Sequence, residues 1–135
     1  MTSYKLILSY FLTSLVFFAV DMLWLGLLAK DFYRKHLGGF LSDRVNWTAA
    51  IIFYLIFIVG IFVFVILPAV EKSSLLKAIG LGAFFGFITY ATYDLTNLAT
   101  LKNWPLTIVI VDMAWGAVLT AIVSAAGYGI VKWLN

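Results

Sequence analysis

The sequence predicts an all-α fold, a four-helix transmembrane bundle in a single integral membrane domain that covers residues 1–135. The first observation is composition: 64% of the residues are hydrophobic and 11% are charged, with a mean hydropathy of +1.08, which is too apolar for an ordinary soluble domain. The second is the length of the apolar runs. About 20 residues at a rise of about 1.5 Å span a hydrocarbon core roughly 30 Å thick.

The four helices are placed between the features that interrupt these runs. Basic residues, Pro68 and the turn at residues 102–105 mark the interruptions. The helices are therefore predicted near residues 6–28, 47–67, 76–101 and 106–133. The first is expected to be retained rather than cleaved as a signal peptide, because its apolar part is long and no small-x-small cleavage pattern follows it.

The first loop, residues 29–46, is the only long connection. Between Lys30 and Leu37 it mixes aromatic and basic side chains, and Gly38 and Gly39 follow. This pattern predicts a short amphipathic segment at the membrane interface, with its rings at headgroup level and its bases near phosphates. The alternative is an ordinary solvated loop in which His36 is exposed.

Charge and residue types exclude several classes of function. The net charge is +3, and the basic residues are divided among short loops, so membrane lipids are the expected partners and nucleic acid is not. There is no cysteine and only one histidine, which excludes disulfides, thiolate nucleophiles and sites built from Cys or His clusters. We therefore predict no metal site and no cofactor.

Three aspartates, Asp21, Asp94 and Asp112, each lie inside a long apolar run. A charged residue at the centre of a membrane helix costs roughly 2.5–3.5 kcal/mol on insertion scales. Counting from the helix ends places all three about 10 Å from the face that carries the first and third loops. We expect the helices to turn them into a polar pocket that opens toward those loops. Without a Lys or Arg at that depth, the clustered carboxyls should keep a proton or bind a cation.

Other polar and aromatic side chains are predicted at the same depth. Trp24 follows Asp21 by three residues, and Trp115 follows Asp112 by three, so each ring shares a helical face with its carboxyl group. The two indoles should bracket the acidic layer and form a slot for an apolar or cationic group. The predicted ligand-binding residues are Asp21, Asp94, Asp112, Asn97, Trp24, Trp115, Tyr54 and Tyr90. The alternative for each is helix packing or an interhelical hydrogen bond without a ligand.

Small residues predict close packing of the helices. The rows on the last helix are Ala117, Ala121, Ala125 and Gly129, with Gly116, Thr120 and Ser124 alongside. Small residues four apart let helices approach closely. We expect this surface to pack inside the bundle, with the seam of a homodimer as the alternative. The second helix is bulky apart from Gly60, so most of it is expected to face lipid.

Three stretches of the sequence are similar to a known family. Residues 21–26 (DMLWLG), 91–100 (ATYDLTNLAT) and 112–116 (DMAWG) resemble the bacterial predicted membrane proteins catalogued as domain of unknown function 2177. The likeness covers nearly the whole chain. It implies a small multi-pass protein of the bacterial inner (cytoplasmic) membrane, points to the same acidic residues and carries no established activity.

Functions of different classes stay open. In the favoured one, the buried acidic site binds a small polar, cationic or amphipathic ligand in a proton- or cation-coupled carrier, which would need a homodimer because four helices are few for a pathway. The first alternative is a lipid-active membrane enzyme that uses the aspartates as acid and base or to bind Mg²⁺. The second is a structural assembly partner. The carrier is favoured because no zinc motif and no serine nucleophile motif is present.

Overall fold

The computed structural model describes residues 1–135. Four of its helices are long and apolar enough to cross a membrane: Ser3–Leu28, Trp47–Glu71, Leu75–Thr100 and Leu106–Leu134. We call them the first to fourth spans. A shorter helix, Lys30–Leu37, follows the first span and is called the loop helix. There are no strands, so the predicted all-α class with four candidate membrane helices is confirmed.

Local sequence explains where the spans begin. The side chains of Thr2, Asn46 and Ser74 cap the first three spans by accepting a backbone N–H three residues on, at 3.3, 3.1 and 3.0 Å. Such caps satisfy N–H groups that have no partner inside the helix. The fourth span follows Pro105, whose fixed φ suits a helix start. Before it, Asn103 turns the chain with a φ of 62°, a conformation that asparagine adopts more readily than most residues.

Pro68 does not end the second span, so the prediction of a helix that stops at Leu67 is wrong. The span continues to Glu71, and a turn of π-helix, Phe62–Ile66, comes just before the proline. The N–H of Leu67 bonds to the carbonyl of Phe62, five residues back. Proline lacks an N–H, and its ring crowds the carbonyl four residues earlier. The wider π turn relieves that crowding, so the helix passes through the proline.

Residues 57–66 of the second span supply most of the main hydrophobic core. Six of the ten buried residues in this cluster lie there: Phe57, Ile58, Ile61, Phe62, Val65 and Ile66. The expectation that this span mostly faces lipid is therefore wrong for this segment. Its large side chains pack against the third and fourth spans, whose small residues leave space for them. The first half, including Ile51 and Ile52, is exposed.

The third and fourth spans pack closely through glycines. A Cβ on Gly82 would lie 2.8 Å from the Thr120 carbonyl oxygen and 2.5 Å from Ser124 Oγ. A Cβ on Gly86 would collide with the carbonyl of Gly116 and with the Thr120 side chain. These contacts leave no room for any other residue at the two positions. The seam between the two spans therefore runs through the row Gly116, Thr120 and Ser124.

The neighbouring row of small residues on the fourth span lies outside this seam. Ala117, Ala121 and Ala125 are half-buried, and Gly129 is exposed with no side chain near it. The expected core contact is therefore made by the predicted row of Gly116, Thr120 and Ser124, one residue earlier along the helix, and the Ala117 row is not part of it. A homodimer seam on the outer row stays a prediction.

The loop helix covers one end of the bundle. Its Leu37 is buried in a small apolar cluster with Trp104, Ile108 and Val109 from the turn and the start of the fourth span. His36 is half-buried, with its ring centroid 4.5 Å from that of Phe32. The short amphipathic segment predicted in the first loop is thus a helix, and its place at the membrane interface stays a prediction. This end of the bundle is closed by apolar packing.

Candidate functional site

The seam between the third and fourth spans places Asp94 beside Asp112. The spans run in opposite directions, and the ring of Tyr90 rests on Gly116. One turn from this contact, toward the loop helix, lie Asp94 on the third span and Asp112 on the fourth. On each span, residues four apart form a row along one side of the helix, which we call a ladder. The ladder Gly82, Gly86, Tyr90 and Asp94 of the third span lies against the ladder Ser124, Thr120, Gly116 and Asp112 of the fourth. The carboxyl pair therefore follows from the glycine packing.

Asp94 is buried without any donor for its carboxyl group. Its exposed fraction is 0%, and neither of its oxygens accepts a hydrogen bond from the chain. The group beside it is the carboxyl of Asp112, within the distance that a hydrogen bond spans when one of the two carries a proton. No basic side chain acts on Asp94. Two buried carboxylates repel each other, so the pair needs a proton or a cation between them.

Tyr33, on the loop helix, makes a hydrogen bond to Asp112. The Tyr33 hydroxyl donates to Asp112 Oδ1 at 2.7 Å and accepts from Trp24 Nε1 at 3.2 Å. Burial, and then the Asp112 charge, raises the pKa of Tyr33 well above its usual range, so the phenol remains a donor. Our sequence analysis missed Tyr33 by placing its ring at headgroup level. The available signal was its spacing of four from Leu37, which puts both on the inner face of the loop helix.

Asp21 has a different environment, in which both carboxyl oxygens have donors. Oδ2 accepts from the Tyr54 hydroxyl at 2.8 Å, and Oδ1 accepts from Trp115 Nε1 at 3.2 Å. These bonds join the first, second and fourth spans. Asp112 lies close enough to act on Asp21 electrostatically, so the three predicted acids do converge. Only the Asp94–Asp112 pair is left with unpaired oxygens.

The two tryptophans stack on each other and do not bracket the acidic layer. The ring centroids of Trp24 and Trp115 are 4.4 Å apart, with 10° between the planes. The predicted slot between them is therefore wrong, because the antiparallel first and fourth spans press the two indoles together, which stacking favours. Each indole N–H is linked to the aspartate of the other span. Trp115 donates a hydrogen bond to Asp21, and Trp24 donates one to Tyr33, which in turn donates to Asp112.

Tyr90 and Asn97 flank Asp94 by one turn on either side. Tyr90 is half-buried over Gly116. Asn97 is also half-buried and donates no hydrogen bond to Asp94. The structure thus brings Tyr90 to the pair and leaves Asn97 apart from it. A contact with a ligand stays a prediction for these two, as it does for the other candidate residues.

Comparison with known proteins gives a family. A model described as "predicted membrane protein (DUF2177)" matches residues 6–129. The chain belongs to this family. The match includes the second and third spans, most of the first and fourth, the loop helix and the three aspartates, so the predicted membership is confirmed and the chain is a membrane protein. No curated protein matches the chain, and no solved structure does.

In this member of the DUF2177 family, a cavity of about 380 Å³ reaches the acidic pair from the side. Phe53, Thr89, Tyr90, Tyr93 and Asp112 line it, and none of them lies in a loop. Phe53 and Tyr93 are 49% and 55% exposed on the surface of the bundle. The expectation of a pocket that opens toward the first and third loops is therefore wrong, because the loop helix packs over that end. The cavity opens between the second and third spans.

The three aspartates of this DUF2177 chain do not form one set of metal ligands. No group of three or more Asp, Glu, His or Cys side chains is arranged so that it could hold a metal ion. Asp21 uses its oxygens for Tyr54 and Trp115. Any cation at the site would therefore be held by Asp94 and Asp112, with its other contacts supplied by a ligand or water.

Proposed function

We propose that Asp94 and Asp112 bind a small cationic or amphipathic ligand within the bacterial inner membrane, and that the pair gives up a bound proton or cation as the ligand binds. The observation that carries this proposal is the environment of Asp94. The residue is fully buried, its oxygens have no donor, and its neighbour Asp112 lines a cavity. A cationic group in that cavity would supply the positive charge that the pair lacks.

The contrast with Asp21 supports binding over a purely structural role. An acid that serves only to join helices should have its oxygens occupied by donors of the chain, as Asp21 does. Buried polar groups without partners are uncommon in native proteins, and ionisable residues inside membrane helices usually mark a functional pathway. Asp94, buried and without donors, has the features of a functional acid, whereas Asp21, with both oxygens bonded, has those of a structural one.

Exchange at this pair suits a proton- or cation-coupled carrier. The acids lie about 10 Å from the loop end of their spans, inside the apolar part of the chain, where carriers place their coupling groups. Four spans leave little room for a path with two exits, so we propose a homodimer as the transporting unit.

Infrared difference spectroscopy of the protein in nanodiscs tests the acidic pair directly. Wild type should show the carbonyl band of a protonated carboxyl group, and the band should be absent from Asp94→Asn and Asp112→Asn. Asp43→Asn is the matched control, because Asp43 is exposed in the first loop. The proposal would be contradicted if the wild-type spectrum lacked the band of a protonated carboxyl group and if removing cations from the buffer did not change the spectrum.

Proteoliposomes that enclose a pH-sensitive dye test exchange. Sodium, potassium and tetramethylammonium chloride are added outside in turn. With a coupled carrier, at least one cation should drive protons out through wild type but not through Asp94→Asn. Absence of any flux would count against the carrier. Changed lipid extracts from cells that overexpress wild type, but not Asp94→Asn, would instead favour a lipid-active enzyme.

A further inference from the structure

We infer that the ligand is an amphiphile with a protonated amine, and that its head reaches Asp112 from the lipid, between the second and third spans. This inference rests on the proposed function, since it identifies the class of ligand and the route to the same acidic pair.

The packing of the spans supports a lateral route. The second span lies closest to the third over Phe62–Glu71, and Phe57 also packs on Phe85 and Tyr90 of the third span. Before Phe57 the second span packs against the first span, so the second and third spans diverge toward the loop helix, and the cavity lies in this wedge, between Phe53 and Tyr93. At the loop end, Leu37 and Trp104 are buried in the apolar cluster at the start of the fourth span. We therefore expect the opening to face lipid rather than the loop end.

The walls of the cavity have the chemistry of an ammonium site. Three of its five lining residues, Phe53, Tyr90 and Tyr93, are aromatic, and Asp112 supplies the carboxylate. Aromatic faces attract cations, and the attraction is stronger where the contact is shielded from water. An anionic head would be repelled by the acidic pair, so a cationic head is favoured.

The unpaired oxygens favour a head with N–H groups. Tyr33 occupies only Oδ1 of Asp112, and this carboxyl group lines the cavity, whereas Asp94 is fully buried and does not. A protonated amine offers N–H donors to the free Oδ2 of Asp112, whereas a quaternary ammonium offers none. Phosphatidylethanolamine carries an amine but would bring its phosphate beside the carboxylates, so we commit to an amine without a phosphate.

The size of the cavity suits a head and not a whole amphiphile. Its volume of about 380 Å³ is near the lower end of the range for ligand pockets, about 300–1,000 Å³. It equals the volume of about a dozen water molecules. The exposed rings of Phe53 and Tyr93 at its mouth leave an alkyl chain free to remain in the bilayer.

The test measures binding of dodecylammonium to the full chain in phosphatidylcholine nanodiscs by calorimetry, with empty nanodiscs subtracted. We expect saturable binding that is lost in Asp112→Asn. Dodecyltrimethylammonium, which has no N–H donor, should bind at least about tenfold more weakly, because a hydrogen bond to a charged group contributes roughly 1.5–3 kcal/mol. Ethylammonium has no alkyl chain to bury in lipid and should also bind at least about tenfold more weakly.

Substitutions at two positions on the third span test the route. Thr89→Phe fills the cavity without changing an acid and should weaken dodecylammonium binding about tenfold or more, with the smaller Thr89→Leu intermediate. Thr92→Phe makes the same change at a neighbouring exposed position and should leave binding unaltered. Circular dichroism of each variant confirms that it is folded, and Thr89→Leu keeps the test available if Thr89→Phe does not fold.

Each contrary result overturns a defined part of the inference. Equal binding of dodecylammonium and ethylammonium, unaffected by Thr89→Phe but lost in Asp112→Asn, would overturn the lateral route and leave the acidic site in place. Equal binding of the trimethyl compound would overturn the amine. Loss of binding in nanodiscs that contain phosphatidylethanolamine would assign the site to that lipid and overturn our choice of ligand. Amine binding that ignores Asp112 would overturn the whole inference, whereas the proposed function is judged by the infrared result.

Discussion

Replacing Asp21 and Asp94 by asparagine, one at a time, should destabilise the protein at position 21 and not at position 94. Asp21 accepts two hydrogen bonds, from Tyr54 and Trp115. Asparagine at position 21 keeps one acceptor oxygen and turns an NH₂ group toward the other donor. Interhelical hydrogen bonds in membranes contribute about 0.6 kcal/mol on average and up to about 1.7, and a buried donor left unpaired costs about 1–3 kcal/mol. We therefore expect Asp21→Asn to lower the free energy of unfolding by roughly 1–3 kcal/mol.

Asp94 has no such bonds to lose. Both of its oxygens lack a donor, and its neighbour Asp112 is another acid, so an amide at position 94 removes the need for a shared proton or cation and can itself donate to Asp112. Asp94→Asn should therefore stay within about 0.5 kcal/mol of wild type or be more stable, because an unpaired buried charge is itself unfavourable. Asp43→Asn, the same change at an exposed loop position, is the control.

The assay is reversible unfolding in mixed micelles of dodecylmaltoside and dodecyl sulfate, followed by circular dichroism at a fixed pH. The free energy of unfolding is compared at one mole fraction of dodecyl sulfate for wild type and the three variants. A loss in Asp94→Asn as large as that in Asp21→Asn would refute the reasoning. It would mean that Asp94 is a structural acid with partners that the geometry does not provide.

Further predictions concern the seam and the loop helix. Gly86→Ala should destabilise the protein by about 1–3 kcal/mol or more, because its Cβ would meet Gly116; Gly80→Ala, with nothing within 4 Å, should be neutral or stabilising, as the same unfolding assay can measure. Tyr33→Phe should raise hydrogen–deuterium exchange in residues 30–37, since it removes the bond to Asp112; unchanged protection would mean that apolar packing alone holds the loop helix. In an alkaline titration followed by absorbance, wild type minus Tyr33→Phe should show a phenol that ionises above the usual range, because burial raises the pKa of Tyr33.

The fold class could be predicted from composition and run length because both depend on the solvent that surrounds the chain. An apolar run of about 20 residues has few alternatives to a membrane helix. The helix limits were less certain at Pro68, where the effect of proline depends on the turn before it. The π turn at Phe62–Ile66 lets the helix continue through Pro68, and a proline in an apolar run does not by itself show whether the helix ends or widens there.

The depth of the three acids was predictable because it follows from counting along helices, but their partners depend on how the helices rotate. Rotation separates Asp21, which meets Tyr54 and Trp115, from Asp94, which meets Asp112. The stacking of the two indoles arises in the same way. Of the two small-residue rows predicted for the core, the Gly116 row forms the seam. The Ala117 row lies one residue along, equal to about 100° around a helix, and the sequence pattern did not distinguish the two.

A better signal was available in the four-residue ladders. Gly82 and Gly86 on the third span continue to Tyr90 and Asp94 at the same spacing, and Asp112 begins the matching series on the fourth span. If two antiparallel helices pack glycine against small residues along such ladders, the residues one turn farther along must also meet. The ladders therefore predict a carboxyl pair, whereas a shared depth predicts only a layer.

The division of roles among the acids explains how an unpaired carboxyl group can persist in a stable bundle. The close seam at Gly86 and Gly116 brings the third and fourth spans together, and the bonds of Asp21 attach the first and second spans to the fourth. Neither set of contacts uses the oxygens of Asp94. The protein can therefore hold two acids side by side, next to a cavity at the lipid surface, without depending on them for its fold. A site that is strained when empty and relieved by a cation is the arrangement expected for reversible binding.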